Sequence, residues 1–161
     1  MSAAVEALIA RLTNAERRLV KHADAPLPSG LTDPDPGADE RWEAGQVWAH
    51  LAEFPAYWLA QARHVVSRPA REPVPFGRVK TDAARIEAIE RDRNEAPAAL
   101  LRRVRESLAE VTDAARAFAP DDWTALGAHP TAGELTVQGI VERFIVEHLE
   151  EHADQLDALP R

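Results

Sequence analysis

The 161-residue sequence contains no cysteine. This absence excludes disulfide bonds, thiolate zinc sites, iron–sulfur clusters and a cysteine nucleophile within the chain. Glycine is also scarce, at seven residues, whereas alanine is plentiful, and this composition favours helices. No uninterrupted apolar run reaches the roughly 18 residues of a membrane span. The N-terminus also lacks the basic segment and apolar run of a signal peptide, so we expect a cytoplasmic protein.

Positive charge is in deficit, since the formal net charge is −8. Such a surface repels nucleic acid and anionic membranes, and we expect neither as a partner. The arginines alternate with acidic residues in segments 90–93 and 102–106, a pattern typical of solvated helix faces. The length and the 45% hydrophobic content fit one globular domain that spans residues 1–161.

Apolar residues recur at spacings of three and four in four long segments, which predicts four long amphipathic helices and one short helix. The predicted helices are the segment up to about Asp24, about Glu43 to Ser67, Thr81 or Asp82 to about Arg93 (the short one), about Glu95 through Phe118, and about Thr136 to Leu159. Pro55 lies inside the second helix and crowds the carbonyl of Leu51, so a kink is expected there.

Long connections rich in proline and glycine separate these helices. Residues 25–40 and 68–80 are predicted loops, and residues 120–133 are predicted to be irregular with a single turn near Trp123. No segment shows a convincing strand pattern. The sequence therefore predicts an all-α four-helix bundle with long connecting loops, but it does not determine the spatial order of the helices.

Three histidines lie on the predicted apolar helix faces. His148 and His152 are four residues apart on the face that also carries Leu149, so both imidazoles can reach one ion. His50 borders the buried face of the second helix and meets this pair if the two helices are neighbours. Three imidazoles suit zinc, nickel, iron or copper and leave coordination positions open, as in catalytic sites. The sequence predicts a divalent metal site at these histidines, and three hydrogen-bonded core histidines are the alternative.

Support for a functional site is weaker at the other three histidines and in other known motifs. His22 ends a helix, His64 is expected on the surface, and His129 precedes a proline in a loop. Segment 148–152 also matches the His-x-x-Glu-His pattern of inverted zinc peptidases, but only nine residues follow for a further ligand. No glutamate precedes a histidine by three residues, which excludes a di-iron bundle. Phosphate-loop and Gly-x-Ser-x-Gly motifs are also absent.

Three stretches of the chain, and the helix and loop positions over essentially all of it, resemble the DinB/YfiT-like superfamily of metalloenzymes. These stretches are WEAGQVWAHL (42–51), HPTAGELTV (129–137) and EHLEEHADQL (147–156). The resemblance implies a left-handed four-helix bundle with zinc, nickel or another divalent ion bound at one end by His50, His148 and His152. Members include bacillithiol and mycothiol S-transferases and a mycothiol-dependent maleylpyruvate isomerase, and others are described as metal-dependent hydrolases or DNA-damage-inducible proteins. Because many members pair, a homodimer is expected.

Three functional hypotheses follow, in order of preference. The first is a metal-dependent transferase that uses a low-molecular-weight thiol and acts on a small-molecule substrate. The second is a metal-dependent hydrolase, and the third is a non-catalytic, metal-stabilised stress-response module. The candidate pocket residues are Tyr57, Trp58, Arg63 and Glu151. Glu151, like Glu147, is interpreted as a surface or supporting residue rather than a catalytic base.

Overall fold

The computed structural model describes residues 2–36, 39–68 and 71–160, and these form six α-helical segments and three short strands. In chain order they are α1 (Ala3–Ala23), α2 (Ala44–Val66), β1 (Val74–Pro75), α3 (Ala83–Asp92), α4 (Pro97–Ala117), β2 (Leu126–His129), β3 (Gly133–Thr136), α5 (Val137–Val141) and α6 (His148–Ala158). A 3-10 turn over Asp122–Thr124 precedes β2, and a π-helical turn over Glu142–Glu147 joins α5 to α6. None of these helices combines the length and the apolarity that a bilayer crossing requires.

The helices begin where the sequence predicts because local capping groups satisfy their first amide donors. The Asp82 carboxylate accepts from the backbone N–H of Arg85 at the start of α3, and the Thr136 hydroxyl accepts from Gly139 at the start of α5. Glu43 opens α2 with a capping box. Pro97 occupies the first helical position of α4, where no amide donor is needed.

Helix α2 lies at the centre of the bundle, where it packs against α3, α4, α5 and α6, while α1 packs against α4 and α6. The predicted four-helix bundle is confirmed. Its core is a continuous apolar cluster in which the largest side chains are fully buried. Examples are Leu19, Trp48, Phe54, Leu100, Ile140 and Leu149. Burial of each such side chain stabilises the fold by roughly 1.5–3 kcal/mol.

The prediction of no strand is wrong, because β1, β2 and β3 form a small sheet. Strand β1 pairs with β2 in parallel, with Val74 opposite Gly127, and β2 pairs with β3 as an antiparallel hairpin. These strands have two to four residues, too few for a period-two pattern to emerge from the sequence. The sheet orders parts of the predicted loop 68–80 and of the predicted irregular segment 120–133, and it brings the segment after Phe76 beside His129.

Hydrogen bonds hold the predicted loop 25–40 across one end of the bundle. The backbone N–H of Thr32 donates to the carbonyl of Trp42 (2.8 Å), and the Thr32 hydroxyl accepts from the N–H of Trp42 (2.9 Å). Ser29 N–H donates to the carbonyl of Pro160 (2.7 Å). Gly37, Ala38, Pro69 and Ala70 of the predicted loops lie outside the described residues. These hydrogen bonds position Trp42 over the start of α2 and beside α6.

The predicted last helix is continuous but contains the π-helical turn Glu142–Glu147 immediately before His148. The π-helical turn buries Ile145 and Val146, and it holds more residues per turn than an α-helix. It shifts the helix face between α5 and α6. The apolar face of α5 and the histidine face of α6 therefore both point into the bundle.

Candidate metal centre

His50, His148 and His152 meet at the end of the bundle where α2 packs against α6. One nitrogen from each ring lies within 4.8 Å of one nitrogen from each of the others. The Nε2 atoms of His50 and His148 are 3.1 Å apart. His50 is 2% exposed and His152 is 6% exposed, while His148 is half-buried. The structure thus brings together all three histidines that the sequence singles out.

The outer nitrogens of two of these rings have acceptors that orient them. His50 Nδ1 donates to the Glu53 carboxylate (2.8 Å), which also accepts from Arg78 (2.7 Å). His152 Nδ1 donates to the side-chain oxygen of Gln155 (2.7 Å). With its proton on Nδ1, each neutral ring directs the Nε2 lone pair toward the centre of the cluster.

The inner nitrogens are left without adequate partners. His152 Nε2 is buried and has no hydrogen-bond partner within residues 2–36, 39–68 and 71–160. A buried polar atom without a partner costs about 1–3 kcal/mol, so such atoms are rare in native proteins. The short approach of the Nε2 atoms of His50 and His148 likewise needs a proton or a cation between them. This donor set fits a cation ligated by three imidazoles.

The environment keeps the three rings neutral at physiological pH. Burial lowers the pKa of His50 well below 6.5, and the charges of His152, Arg85 and Arg78 act in the same direction. Burial, with the neighbouring histidines and the two arginines, likewise lowers the pKa of His148 well below 6.5. The pKa of His152 is lowered to about 4, chiefly by burial. Only the neutral ring binds a metal, so these rings are available as ligands without prior deprotonation.

Aromatic side chains enclose the cluster on two sides. The Phe54 ring stacks on His148 with centroids 4.4 Å apart, and the Trp42 ring stacks on His152 at 5.8 Å. Trp42 also meets His50 edge-on at 5.2 Å. These contacts hold the imidazoles in place and limit water to the remaining, open side.

That open side is a cavity of about 690 Å³, large enough for a small-molecule ligand. Trp58 and Glu151 line it, as predicted. Tyr57 is outside the lining and instead packs its ring against the Arg78 guanidinium, 3.9 Å away. Arg63 is also outside it: its side chain is 52% exposed and lies 3.9 Å from Glu110 of α4. The prediction of Arg63 as a pocket residue is therefore wrong, because it occupies the solvent face of α2.

His129, a weak candidate in the sequence, is a buried residue of this cavity. Its Nδ1 accepts from the backbone N–H groups of Thr131 (3.2 Å) and Ala132 (3.1 Å), and its Nε2 donates to the carbonyl of Arg78 (3.1 Å). Gly77 has φ +87°, and a Cβ there would lie 2.4 Å from His129 Cδ2. His129 is thus a neutral structural link that holds the segment carrying Arg78 against the hairpin.

The remaining histidines lie outside the cluster. His22 is buried at the end of α1, where its Nε2 lies 2.6 Å from a carboxylate oxygen of Asp157 in α6. His64 is half-buried on α2. Sequence reasoning missed the supporting residues Glu53 and Arg78. A signal was available for Glu53, which follows His50 by three residues and therefore shares its helix face.

Replacement of Glu53 by glutamine is expected to weaken metal affinity by roughly 10–100-fold, the usual effect of removing a group that orients a ligand. The glutamine side chain lacks the negative charge that favours the Nδ1–H form of His50, and Arg78 loses its counter-ion. Competition with a chromogenic chelator measures this change. Glu110→Gln, on the exposed side of the bundle, is the control, and equal affinity in the two variants would contradict the assigned role.

Comparison with known proteins agrees with the geometry. The family model of the DinB superfamily matches residues 2–156. YfiT from Bacillus subtilis, described as a "probable metal-dependent hydrolase" with a four-helix bundle topology, superposes with a TM-score of 0.69 at 17% identity over 98% of this chain and 86% of YfiT. No curated protein matches the sequence significantly.

A mycothiol-dependent maleylpyruvate isomerase superposes with a TM-score of 0.70 at 16% identity. The match covers 99% of this chain and 65% of the isomerase, so this chain spans slightly less than two thirds of the isomerase's length. At these identities the structural matches establish the fold alone. The match of the family model over nearly the whole length shows that the chain belongs to the DinB superfamily.

Proposed function

We propose that the protein is a metal-dependent enzyme that binds one divalent ion through His50, His148 and His152 and acts on a small molecule in the adjacent cavity. The observation that carries this proposal is the buried Nε2 of His152, which has no hydrogen-bond partner in the described part of the chain and lies close to two further imidazole nitrogens. Three protein ligands leave coordination positions open, as in catalytic sites. Zinc and nickel are the ions proposed, because imidazole suits both.

The residues around the site have separate tasks in this proposal. A bound divalent ion supplies Lewis-acid chemistry, which lowers the pKa of a thiol or water that reaches it. Glu53 and Gln155 hold the protons of His50 and His152 on Nδ1 and so keep both Nε2 lone pairs available. Arg78 neutralises the Glu53 carboxylate, and Trp42 excludes water from the closed side.

We propose transfer to or from a low-molecular-weight thiol as the reaction. The chain has no cysteine, so any thiol must enter the cavity as part of a small molecule. The likeness to a mycothiol-dependent isomerase supports this choice. Hydrolysis is the second candidate, supported by the description of YfiT as a probable metal-dependent hydrolase. The cytoplasmic location and the homodimer stay predictions from the sequence.

Paired assays on tag-free protein loaded with zinc or nickel test the reaction. One follows consumption of N-acetylcysteine with the electrophile 1-chloro-2,4-dinitrobenzene, and the other follows hydrolysis of p-nitrophenyl acetate without thiol. We expect metal-dependent thiol consumption that His148→Ala abolishes and that His64→Ala, a histidine outside the cluster, leaves unchanged. Turnover of the ester alone would favour the hydrolase. Bound metal without either activity would favour the non-catalytic module.

A further inference from the structure

Arg85, the third residue of α3, is a buried cation that lines the same cavity as the three histidines. Its side chain is 8% exposed. Its Nη1 donates to the backbone carbonyl of Lys80 (2.8 Å), and its guanidinium carbon lies 5.3 Å from the centre of the Trp42 ring. These two contacts hold the guanidinium in place, and most of its five N–H donors have no acceptor among the residues that the structure describes.

Arg85 has no counter-ion among the residues that the structure describes, since no carboxylate oxygen lies within 4.0 Å of it. Asp35, Glu40 and Glu53 attract it only from a greater distance. Of the other cations that line the cavity, Arg78 is paired with Glu53 and Lys80 with Asp35, while Arg143 is exposed to solvent and contacts the Phe144 ring. A buried charge without a partner is costly, so proteins seldom retain one unless another group compensates it.

The charge of Arg85 affects all three histidines of the cluster. It contributes to the lowered pKa of His50, His148 and His152. Burial lowers the pKa of Arg85 itself, and the like charge of Arg78 adds to this effect. An anion bound in the cavity would offset both the burial of the guanidinium charge and its repulsion by Arg78. The guanidinium suits this task because its planar fork can donate two parallel hydrogen bonds to a carboxylate or a phosphate.

We propose that Arg85 is the substrate-binding residue for an anionic group, carboxylate or phosphate, on the molecule whose reactive end reaches the three histidines. This inference rests on the proposed function, because it assigns the class of substrate that the cavity accepts. Neutral analogues would leave Arg85 without a counter-ion and would bind more weakly. Trp42 serves both groups, since one ring contacts His152 and the Arg85 guanidinium.

Calorimetric titration of the protein, metal-loaded and metal-free, with succinate, inorganic phosphate and neutral succinamide tests the proposal. The metal-free arm is included because carboxylates also bind metals directly, and it remains informative even if the three histidines bind no ion. A change in the nitrogen chemical shift of Arg85 Nε during the titration would show that the anion binds at Arg85. The variants are Arg85→Met, which removes the charge, and Arg85→Lys, which keeps the charge without the fork. Arg63→Met, outside the cavity, is the matched control.

We expect saturable binding of one or both anions that Arg85→Met weakens at least about tenfold, the effect of losing a charge-assisted hydrogen-bond pair. Arg85→Lys should fall between the parent and Arg85→Met, and Arg63→Met should match the parent. The preferred anion, succinate or phosphate, identifies the group. No saturable binding of either anion, equal binding of succinamide, or unchanged affinity in a folded Arg85→Met variant would overturn the proposal. If Arg85→Met does not fold, two results together would overturn the proposal. These are a parent-like anion affinity of Arg85→Lys and the absence of an anion-induced shift of Arg85 Nε in the parent protein.

Discussion

His152→Ala is expected to lower the affinity for zinc or nickel at least about a hundredfold and to leave the purified protein free of metal. The free energy of binding at structural zinc sites with four ligands corresponds to about 3 kcal/mol per ligand, which is roughly a hundredfold in affinity. His152 contributes the buried Nε2 atom that has no partner, so its loss removes a pre-oriented ligand. Elemental analysis of tag-free protein and chelator competition measure the change, and His50→Ala should behave alike.

The matched control is His64→Ala, which removes an imidazole from the same helix as His50 but from outside the cluster. This variant should retain one equivalent of metal. If the parent protein, after reconstitution with each candidate ion, binds none, the three histidines are core residues. If His152→Ala retains the metal at parental affinity, the ligand set is different. Either result would remove the basis of the proposed enzymatic function.

The metal-free protein is expected to lose stability as the pH falls from about 6.5 toward 4. An unfolded histidine has a pKa near 6.5, whereas the pKa of His152 in the folded protein is about 4. Within this window the unfolded chain binds more protons, so the free energy of unfolding decreases as the pH decreases and is constant above it. His152 alone contributes roughly 3 kcal/mol, and the lowered pKa values of His50 and His148 add to the loss.

Chemical denaturation of the metal-free protein between pH 7 and pH 4 measures this loss, and His152→Gln is the comparison. The variant cannot titrate at this position, so its stability should depend less steeply on pH across the window. Carboxylates with lowered pKa, such as Asp92 and Asp157, do not explain a change above pH 4.5, because they contribute only near and below the ordinary carboxyl range. A stability that is independent of pH between 6.5 and 4.5 would contradict the burial of neutral imidazoles.

A bound ion should reverse this acid sensitivity only in part. Protons compete with the ion for the same nitrogens, and a ligand that binds the folded state alone stabilises it by an amount that grows with the logarithm of its free concentration relative to Kd. The metal-loaded protein is therefore expected to be more stable than the metal-free protein at pH 7 and to lose this advantage near pH 5. Parallel denaturation curves with and without one equivalent of zinc test this expectation.

The sequence by itself determined the helices and the identity of the histidine cluster. Helix bounds follow from local information, the apolar spacing and the capping residues Asp82 and Thr136, which act over three or four positions. The spacing of His148 and His152 is also local, because one turn of helix places both rings on one face. Only the inclusion of His50 required an assumption, that α2 and the last helix are neighbours, and the structure confirms this packing.

Tertiary structure alone decided the sheet and the surroundings of the histidine cluster. Strand β1 forms by pairing with a distant segment, Val74 with Gly127, and β2 pairs with β3 in a hairpin. Strands of two to four residues leave no periodic pattern in the sequence. Arg78, Arg85 and His129 reach the cavity from the loop, from α3 and from the hairpin, three parts of the chain that only folding brings together. Periodicity reports which face of a helix is buried, whereas the partners of a buried charge depend on the packing of distant segments. For that reason the histidine cluster was predictable from the sequence and the buried Arg85 was not.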